Sequence, residues 1–143
     1  MNLAIWDIES SSASTDFGSI IEIGGVLVDE NFKEKDRFNL RCRLPEGEIF
    51  QAMALIVNKT SIKKLTQANL SHYQMLAEVE KIFKKWSPAI FLGWSNIGFD
   101  DEMIRKEFFK GIRYPYLTNA APNKRHDGIN IARAAYAVDP NIL

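Results

Sequence analysis

Runs and alternations of apolar residues predict the secondary structure of this chain. From residue 37 to residue 44, apolar and polar side chains alternate, which is the pattern of a strand with one buried face. Between residues 73 and 86, apolar residues recur at helical spacing, which predicts an amphipathic helix. Similar patterns predict strands over residues 3–9, 20–28 and 89–94, short helical pieces around residues 61–65, a helix of about ten residues from Asp101, and a last helix over residues 129–138.

The order of these elements predicts an α/β fold in which residues 1–143 form a single domain. The first three strands follow one another through turns, so they should form an antiparallel meander with the third strand at its edge. The fourth strand is followed by a helix, and this order implies that it lies parallel to the first strand. We therefore expect a mixed sheet flanked by helices.

Composition narrows the classes of function. Eighteen basic residues balance eighteen acidic ones, so any contact with nucleic acid must come from a local basic patch. The chain has no apolar run long enough to cross a membrane and no leader-like start, so we expect a cytoplasmic protein without a membrane partner. A single cysteine, Cys42, lies on the apolar side of the third strand, which predicts a buried thiol and excludes an internal disulfide.

Two carboxylates end the first predicted strand. The two-residue period of a strand places Asp7 and Glu9 on one side and Trp6 and Ile8 on the other. No Lys or Arg occurs between residues 1 and 32, so a divalent cation is the simplest local counter-charge. Mg²⁺ and Mn²⁺ prefer carboxylate oxygens. The alternative is that the strand frays at Asp7 and water hydrates both acids.

A second group of acids follows the fourth strand, at residues 100–102. Ligands of such sheets collect at the carboxyl ends of the parallel strands, so Asp100 should approach Asp7 and Glu9. Three carboxylates can hold the two metal ions, roughly 4 Å apart, that phosphodiester hydrolysis uses. The alternative is that Asp100 or Asp101 only caps the next helix, although two adjacent acids allow one residue for each task.

These motifs resemble those of the DEDD superfamily of 3′→5′ exonucleases, which have a ribonuclease H-like fold. Asp7-x-Glu9 matches the first motif, and Asn96-x-x-Phe99-Asp100 matches the second. The likeness is to the exonuclease domains of the exonuclease I family in particular, and it extends through residues 93–102, 114–116 and 132–137.

The resemblance implies a metal-dependent exodeoxyribonuclease that hydrolyses single-stranded DNA to mononucleotides. Asp7 and Glu9 would bind one Mg²⁺ or Mn²⁺ ion, and Asp7 with Asp100 would bind a second ion. Arg105, Tyr116 and Arg133 match positions that contact the strand; the alternatives are a solvated helix residue for Arg105 and a core residue for Tyr116.

The resemblance also places the terminal nucleotide against Leu55, Ile56, Asn58 and Thr60. Related segments usually read Gly-Ile-Thr, whereas this chain has Asn58 at the glycine and Lys59 at the apolar position. The asparagine is a mild departure, because Asn tolerates a left-handed backbone better than most residues.

The third motif of the superfamily, a His and an Asp on a final helix, has no match. His72 is expected as a polar residue before a helix, and His126 as part of the strand and turn before the last helix. We therefore expect a C-terminally truncated domain, either a fragment or a natural remnant, with little activity of its own. Its uncovered sheet face should promote self-association. The other readings are a catalytically inactive nucleic-acid-binding module of the same fold and a plain α/β domain.

Overall fold

The computed structural model describes residues 1–142, which form one mixed sheet with helices around it. Its strands are β1 (Asn2–Ser10), β2 (Ile20–Val28), β3 (Glu34–Arg41), β4 (Ala89–Gly93) and β5 (Lys124–Asp127). Its helices are α1 (Ala52–Val57), α2 (Ile62–Thr66), α3 (His72–Trp86), α4 (Asp100–Lys110) and α5 (Gly128–Val138).

The sheet has the strand order β3-β2-β1-β4-β5, so β1 occupies its centre and β3 one edge. β1 pairs with β2 in antiparallel register and with β4 in parallel register, and β5 continues the sheet parallel to β4. The predicted mixed α/β sheet, its three-stranded meander and its edge strand are confirmed. The pattern did not predict α1, because residues 53–70 show no clear periodicity.

Alternation along β1 separates the core from the opposite face of the sheet. Ala4, Trp6 and Ile8 are buried, whereas Ile5 and Asp7 on the other side are exposed. α3 packs on the core side with Met75, Leu76, Val79, Phe83 and Trp86. Phe83 is at the centre of this core, with its ring 5.5 Å from Trp6 and 4.9 Å from Phe91 in edge-to-face geometry.

The opposite side of β1, β2 and β3 is called the open face below. Pairing of the three strands aligns its side chains in rows, and these rows are Ile5–Val26–Arg37, Asp7–Gly24–Asn39 and Glu9–Glu22–Arg41. Ile5 is 42% exposed, and Trp94, just after β4, is 67% exposed. Apolar surface is therefore accessible beside the rows, and self-association through it remains a prediction.

Two helix starts differ from the sequence expectation. α3 begins at His72 behind a capping box, in which Ser71 accepts from the Gln74 N–H and the Gln74 side chain accepts from the Ser71 N–H. At α4 the N-cap residue is Phe99, which makes no side-chain cap. The alternative in which Asp100 or Asp101 only caps this helix is therefore excluded. Both acids lie in its first turn, where carboxylates interact favourably with the helix dipole.

Two expectations from composition can be compared with the structure. Cys42 is fully buried, and burial raises the pKa of its thiol to about 12, as predicted for an inert core cysteine. Within residues 1–142, the helices are all too short or too polar to cross a bilayer.

Replacing Phe83 with Ala tests the core. We expect a loss of about 3–5 kcal/mol in the free energy of unfolding, because the truncation leaves a cavity among packed aromatic rings. Urea unfolding followed by tryptophan fluorescence measures the loss. Replacing Lys81, an exposed residue of the same helix, with Ala should change stability by less than about 0.5 kcal/mol. Equal effects of the two substitutions would contradict this description of the core.

Candidate active site

Two carboxylates meet where the start of α4 approaches the carboxyl end of β1. The backbone N–H of Ile8 donates to Asp100 Oδ1 at 3.3 Å, although the two residues are 92 positions apart. This contact places the Asp100 carboxylate near that of Asp7, so that each lies in the field of the other's charge. Burial, and then the charge of Asp7, raise the pKa of Asp100 to about 7.

Glu9 lies two residues further along β1, on the same side of the sheet as Asp7. Its pKa is raised by partial burial and then by the charges of Asp7 and Glu22, and Arg41 opposes this shift. Arg41 is engaged elsewhere, because its Nε donates to Glu22 Oε2 at 2.8 Å and its Nη2 donates to the same oxygen.

The three predicted carboxylates carry no fixed counter-charge. Within residues 1–142, none of Asp7, Glu9 and Asp100 forms an ion pair with Lys, Arg or His. Like charges this close destabilise one another unless a proton or a cation lies between them. The Asp7–Asp100 pair therefore fits a hard divalent cation, whose usual ligands are carboxylate oxygens.

The complete predicted metal site is not assembled. In the described part of the chain, no three His, Cys, Asp or Glu side chains lie close enough together to hold one ion. The structure brings Asp7 and Asp100 together, and Glu9 adjoins Asp7 without joining that pair. A site in which all three carboxylates bind ions remains a prediction.

Asp101 has a structural role that the sequence did not reveal. Its carboxylate accepts hydrogen bonds from Thr118 Oγ1 at 3.2 Å and from Asn96 Nδ2 at 3.1 Å, and Arg125 Nε lies 3.6 Å away. Burial raises the pKa of Asp101 to about 6, while the charge of Arg125 opposes the shift. Asp101 thus holds the loop before α4 in place, and Asp100 is left to face β1.

Gly93 explains part of the motif that precedes these acids. A Cβ atom at this position would lie 2.6 Å from Asn96 Cβ, so a larger residue would displace the Asn96 side chain. Asn96 is fully buried and donates to Asp101. The buried residues Gly93, Asn96 and Asp101 therefore pack together and help to set the position of α4.

An apolar pocket of about 280 Å³ lies between the end of β1, α1 and the loop before α4. The Asn58 side chain joins two of these elements, because its Nδ2 donates to the Ser10 carbonyl at 2.8 Å. The pocket is lined by Ile8, Glu9, Ser10, Ser12, Ala13, Gln51, Met53, Ala54, Val57, Asn58 and Phe99.

This pocket only partly matches the residues predicted for the terminal nucleotide. Asn58 lines it, whereas Leu55, Ile56 and Thr60 are not among its lining residues. The sequence analysis did not predict that Met53, Val57 and Phe99 line this pocket. The available signals were the proximity of Met53 and Val57 in sequence to predicted residues and the place of Phe99 in the second motif. The left-handed backbone expected at Asn58 occurs at Lys59 instead. Asn58 has φ −77°, and Lys59 has φ +49°.

A larger groove of about 600 Å³ lies on the open face and is lined in part by the carboxylates of Asp7 and Glu9. Gly24 and Asn39 form part of it, and it meets the apolar pocket at Ile8, Glu9 and Asn58. The sequence analysis assigned Gly24 and Asn39 no role. The remaining lining residues are Asp7, Glu22, Gly25, Val26, Arg37, Phe38 and Arg41.

Two of the three residues that were predicted to contact single-stranded DNA are neighbours. The Tyr116 side chain lies near the Arg105 guanidinium, and Arg105 pairs with Glu102 through two hydrogen bonds of 3.0 and 2.6 Å. Tyr116 is 46% exposed, so it is not a core residue. Arg133 is exposed on α5.

The two histidines have different environments. His72 is more than a polar helix-entry residue, because it is largely buried with Nε2 3.5 Å from Glu107 Oε2. Burial lowers the pKa of His72 and raises that of Glu107. His126 is exposed on β5, beside Leu92 of β4. Neither histidine lines the apolar pocket or the groove.

Comparison with known proteins gives a consistent result. No family model matches the chain. It is 22% identical over 143 residues to exodeoxyribonuclease I of Buchnera aphidicola subsp. Schizaphis graminum, covering 99% of the chain and 30% of that protein. It is 24% identical over 138 residues to exodeoxyribonuclease I of Haemophilus influenzae, covering 95% of the chain and 29% of that protein.

A solved structure shares the fold. The crystal structure of E. coli exonuclease I in complex with a dT13 oligonucleotide matches with a TM-score of 0.90 at 19% identity, covering 99% of this chain and 31% of that one. The predicted similarity to the exonuclease domain of exonuclease I is therefore confirmed. The chain spans about 30% of the length of the curated relatives that it matches.

Replacing Asp100 with Asn tests the carboxylate pair. The folded-state pKa of Asp100, about 7, lies above the ordinary value of 3.8. Ionisation of Asp100 therefore destabilises the folded chain at high pH. In EDTA, we expect the variant to be more stable than the parent at about pH 8, and the difference to fade as pH falls through 7 towards 3.8. Urea unfolding across this range measures the effect.

Asp29 provides a control of opposite sign. Backbone hydrogen bonds from Lys33 and Asn31 lower its pKa, so its stabilising effect is present above the ordinary pKa and is lost as pH falls through the folded-state value. Replacing Asp29 with Ala should therefore destabilise the chain near neutral pH and have no effect in acid. A pH-independent effect of Asp100→Asn would show that the carboxylates do not repel one another.

Proposed function

From this similarity to exodeoxyribonuclease I, we propose that the chain is the acid-bearing part of a metal-dependent 3′→5′ exonuclease acting on single-stranded DNA. The observation that carries the proposal is the Asp7–Asp100 pair at the carboxyl end of β1. Two carboxylates without a cationic partner in the described structure are costly for folding, and a bound divalent cation would offset this cost.

The chemistry assigned to these residues is to hold divalent ions against the phosphodiester to be cleaved. Asp7 and Asp100 would bind one Mg²⁺ or Mn²⁺ ion, and Asp7 with Glu9 a second. When bound, the ions stabilise the charge that develops on the phosphate oxygens. Asp100, with a pKa of about 7, would release any proton it shares with Asp7 on ion binding.

The apolar pocket beside Glu9 is the proposed site of the terminal nucleotide. It lies next to the carboxylates, its wall is largely apolar, and Met53, Val57 and Phe99 offer surfaces against which a base can pack. Thr60 would act indirectly, because it is buried and its Oγ1 donates to the Asn58 carbonyl at 3.1 Å, which holds the C-terminal turn of α1. Contacts of Leu55 and Ile56 with the nucleotide remain a prediction, and Ile56 is exposed on α1. Asn58 lines the pocket and also fixes the end of α1 to β1, because its side chain donates to the Ser10 carbonyl.

Arg105 and Tyr116 are the proposed contacts for the single strand of DNA that leads to the acids. A guanidinium pairs with phosphates, and an exposed ring stacks on bases regardless of their identity. Arg105 lies five residues along α4 from Asp100, and Tyr116 lies near Arg105. This proximity favours one contact surface leading away from the acids. Arg133 on α5 would contact the same strand.

The 143 residues alone should hydrolyse DNA slowly at best. In the described structure no histidine lines either cavity, and a positioned general base contributes roughly 10²- to 10⁴-fold in rate. This observation favours one second candidate, a nucleic-acid-binding module of the same fold that lacks catalytic activity.

Replacing Asp7 with Asn tests the metal site. We expect the chain to bind Mn²⁺ measurably by isothermal titration calorimetry in the absence of DNA, and the variant to lose that binding, because Asp7 is assigned to both ions. Replacing Glu30, an exposed acid in the turn after β2, with Gln should leave Mn²⁺ affinity unchanged. A chain that binds no Mn²⁺ but binds single-stranded DNA would support the inactive module instead.

Replacing Tyr116 with Ala tests the strand contact. Affinity for a fluorescent oligo-dT in EDTA should fall about 5- to 100-fold, in keeping with the loss of one stacked base. Replacing Arg105 with Gln should also weaken binding and reduce its salt dependence by one phosphate contact. Lys84, which pairs with Glu80 on α3, is the charge control, and its replacement with Gln should have little effect. Fluorescence anisotropy that shows no difference among these proteins would remove Arg105 and Tyr116 from the interface.

A further inference from the structure

A histidine and a glutamate face each other between α3 and α4, outside both cavities described above. His72 is the first residue of α3, and Glu107 lies near the end of α4. Their closest atoms, His72 Nε2 and Glu107 Oε2, are 3.5 Å apart. This distance exceeds that of an ordinary N–H···O hydrogen bond, about 2.7–3.2 Å. The two side chains are therefore close together without a hydrogen bond between them.

Both side chains have a buried polar atom that lacks a hydrogen-bond partner in the described part of the chain. These atoms are His72 Nε2 and Glu107 Oε1. The Glu107 side chain is only 4% exposed, and that of His72 is 18% exposed. Protein interiors leave few such atoms unpaired. Two of them on facing side chains therefore point to a ligand that both can bind.

The two residues line a surface pocket of about 270 Å³. Since a water molecule takes up about 30 Å³ in the liquid, this pocket has room for an ion and several waters. It is formed by the start of α3, the end of α4 and the segments just before β2 and after β3, so it is separate from the open face. The other lining residues are Ser19, Pro45, Tyr73, Leu76, Lys110 and Gly111.

The donor atoms and their spacing favour a tetrahedral ion. Zn²⁺ binds imidazole nitrogen and carboxylate oxygen at about 2.0–2.2 Å. Two ligands of a tetrahedral ion at this bond length are about 3.4 Å apart, and His72 Nε2 and Glu107 Oε2 are 3.5 Å apart. Octahedral Mg²⁺, with bonds of about 2.0–2.1 Å at right angles, brings its ligands to about 2.9 Å and prefers oxygen to imidazole. The pair therefore suits Zn²⁺ better than Mg²⁺.

The protonation state of His72 also suits a metal ligand, because a metal binds the neutral imidazole. Burial lowers the pKa of His72, with Lys110 adding to this shift and Glu48 opposing it. Burial raises the pKa of Glu107, with Lys110 opposing the shift and Glu48 adding to it. Near neutral pH the imidazole is therefore largely unprotonated, and an ion competes only with a proton on Glu107.

We propose that His72 and Glu107 bind Zn²⁺, or a divalent ion of the same kind, through one imidazole nitrogen and the carboxylate. Waters in the pocket complete the tetrahedron. Because the chain supplies two of the four ligands, the site is weaker than a structural zinc site, which has four protein ligands. The ion joins the start of α3 to the end of α4 and stabilises their packing. The site is independent of the proposed nuclease site, because neither residue lines the groove or the apolar pocket.

Zinc titration of the whole chain tests this site. The reference chain carries Asp7→Asn, which removes the proposed carboxylate site. We expect isothermal titration calorimetry at pH 7.5 to detect Zn²⁺ binding to this chain. Adding His72→Gln or Glu107→Gln should weaken binding at least about 10- to 100-fold, because even the loss of a residue that only orients a metal ligand costs that much.

Thermal unfolding gives a second measurement. Zn²⁺ should raise the melting temperature of the reference chain and leave those of the His72→Gln and Glu107→Gln variants unchanged, because a ligand stabilises only a chain that binds it. Glu107→Gln keeps the shape of the side chain and removes a charge whose burial is unfavourable, so this variant should fold without the ion.

His126 is the matched control, because it is the other of the two histidines in the chain and lies exposed on β5. His126→Gln should leave Zn²⁺ affinity unchanged. The two imidazoles also provide separate NMR signals. Zn²⁺ should shift the ring signals of His72 and not those of His126, and Mg²⁺ should shift neither, because it avoids imidazole.

Each other outcome would overturn the site. A reference chain that binds no Zn²⁺ has no such site, and the proposed function then still stands or falls on Mn²⁺ binding by the parent. Zn²⁺ binding that survives Glu107→Gln places the ion on an imidazole alone, and loss of binding in His126→Gln places it on β5. If His72→Gln fails to fold, Glu107→Gln and the ring signals of His72 decide the question.

Discussion

The hydrogen bond from the Ile8 backbone to Asp100 is the contact on which the site depends. It joins the central strand to the first residue of α4 and thereby holds two carboxylates together across 92 residues of sequence. The pair has no cation among its described ion-pair partners, and the result is a raised pKa at Asp100. The same contact that creates this electrostatic cost is the basis of the proposed affinity for a divalent ion.

The surrounding structure offsets the cost of this arrangement. α4 buries Met103, Ile104 and Phe108 against the sheet, and this apolar burial holds its N-terminus in place despite the repulsion. Asp101 adds a second restraint, because Thr118, Asn96 and Arg125 all surround its carboxylate. Adjacent acids thus have separate tasks, one of them holding the loop and the other facing β1.

The two faces of the sheet carry different kinds of side chain. Its core side is filled with aromatic rings around Phe83, so its other side is free to carry charged rows and a glycine. The charges on this face are arranged in pairs, with Arg41 directed to Glu22 and Arg37 to Glu34. Within residues 1–142, the carboxylates of Asp7 and Glu9 on β1 are outside these pairs, and this distinguishes the acids of the proposed site from the paired ones.

The sequence alone determined the features that depend on local periodicity. It placed Asp7 and Glu9 on one side of a strand, made β3 an edge strand and defined α3 almost to the residue, because the period of a strand or helix is a property of neighbouring residues. Tertiary structure decided the rest. The partners of Asp101, the burial of His72 against Glu107 and the lining of the apolar pocket all depend on segments that are distant in sequence.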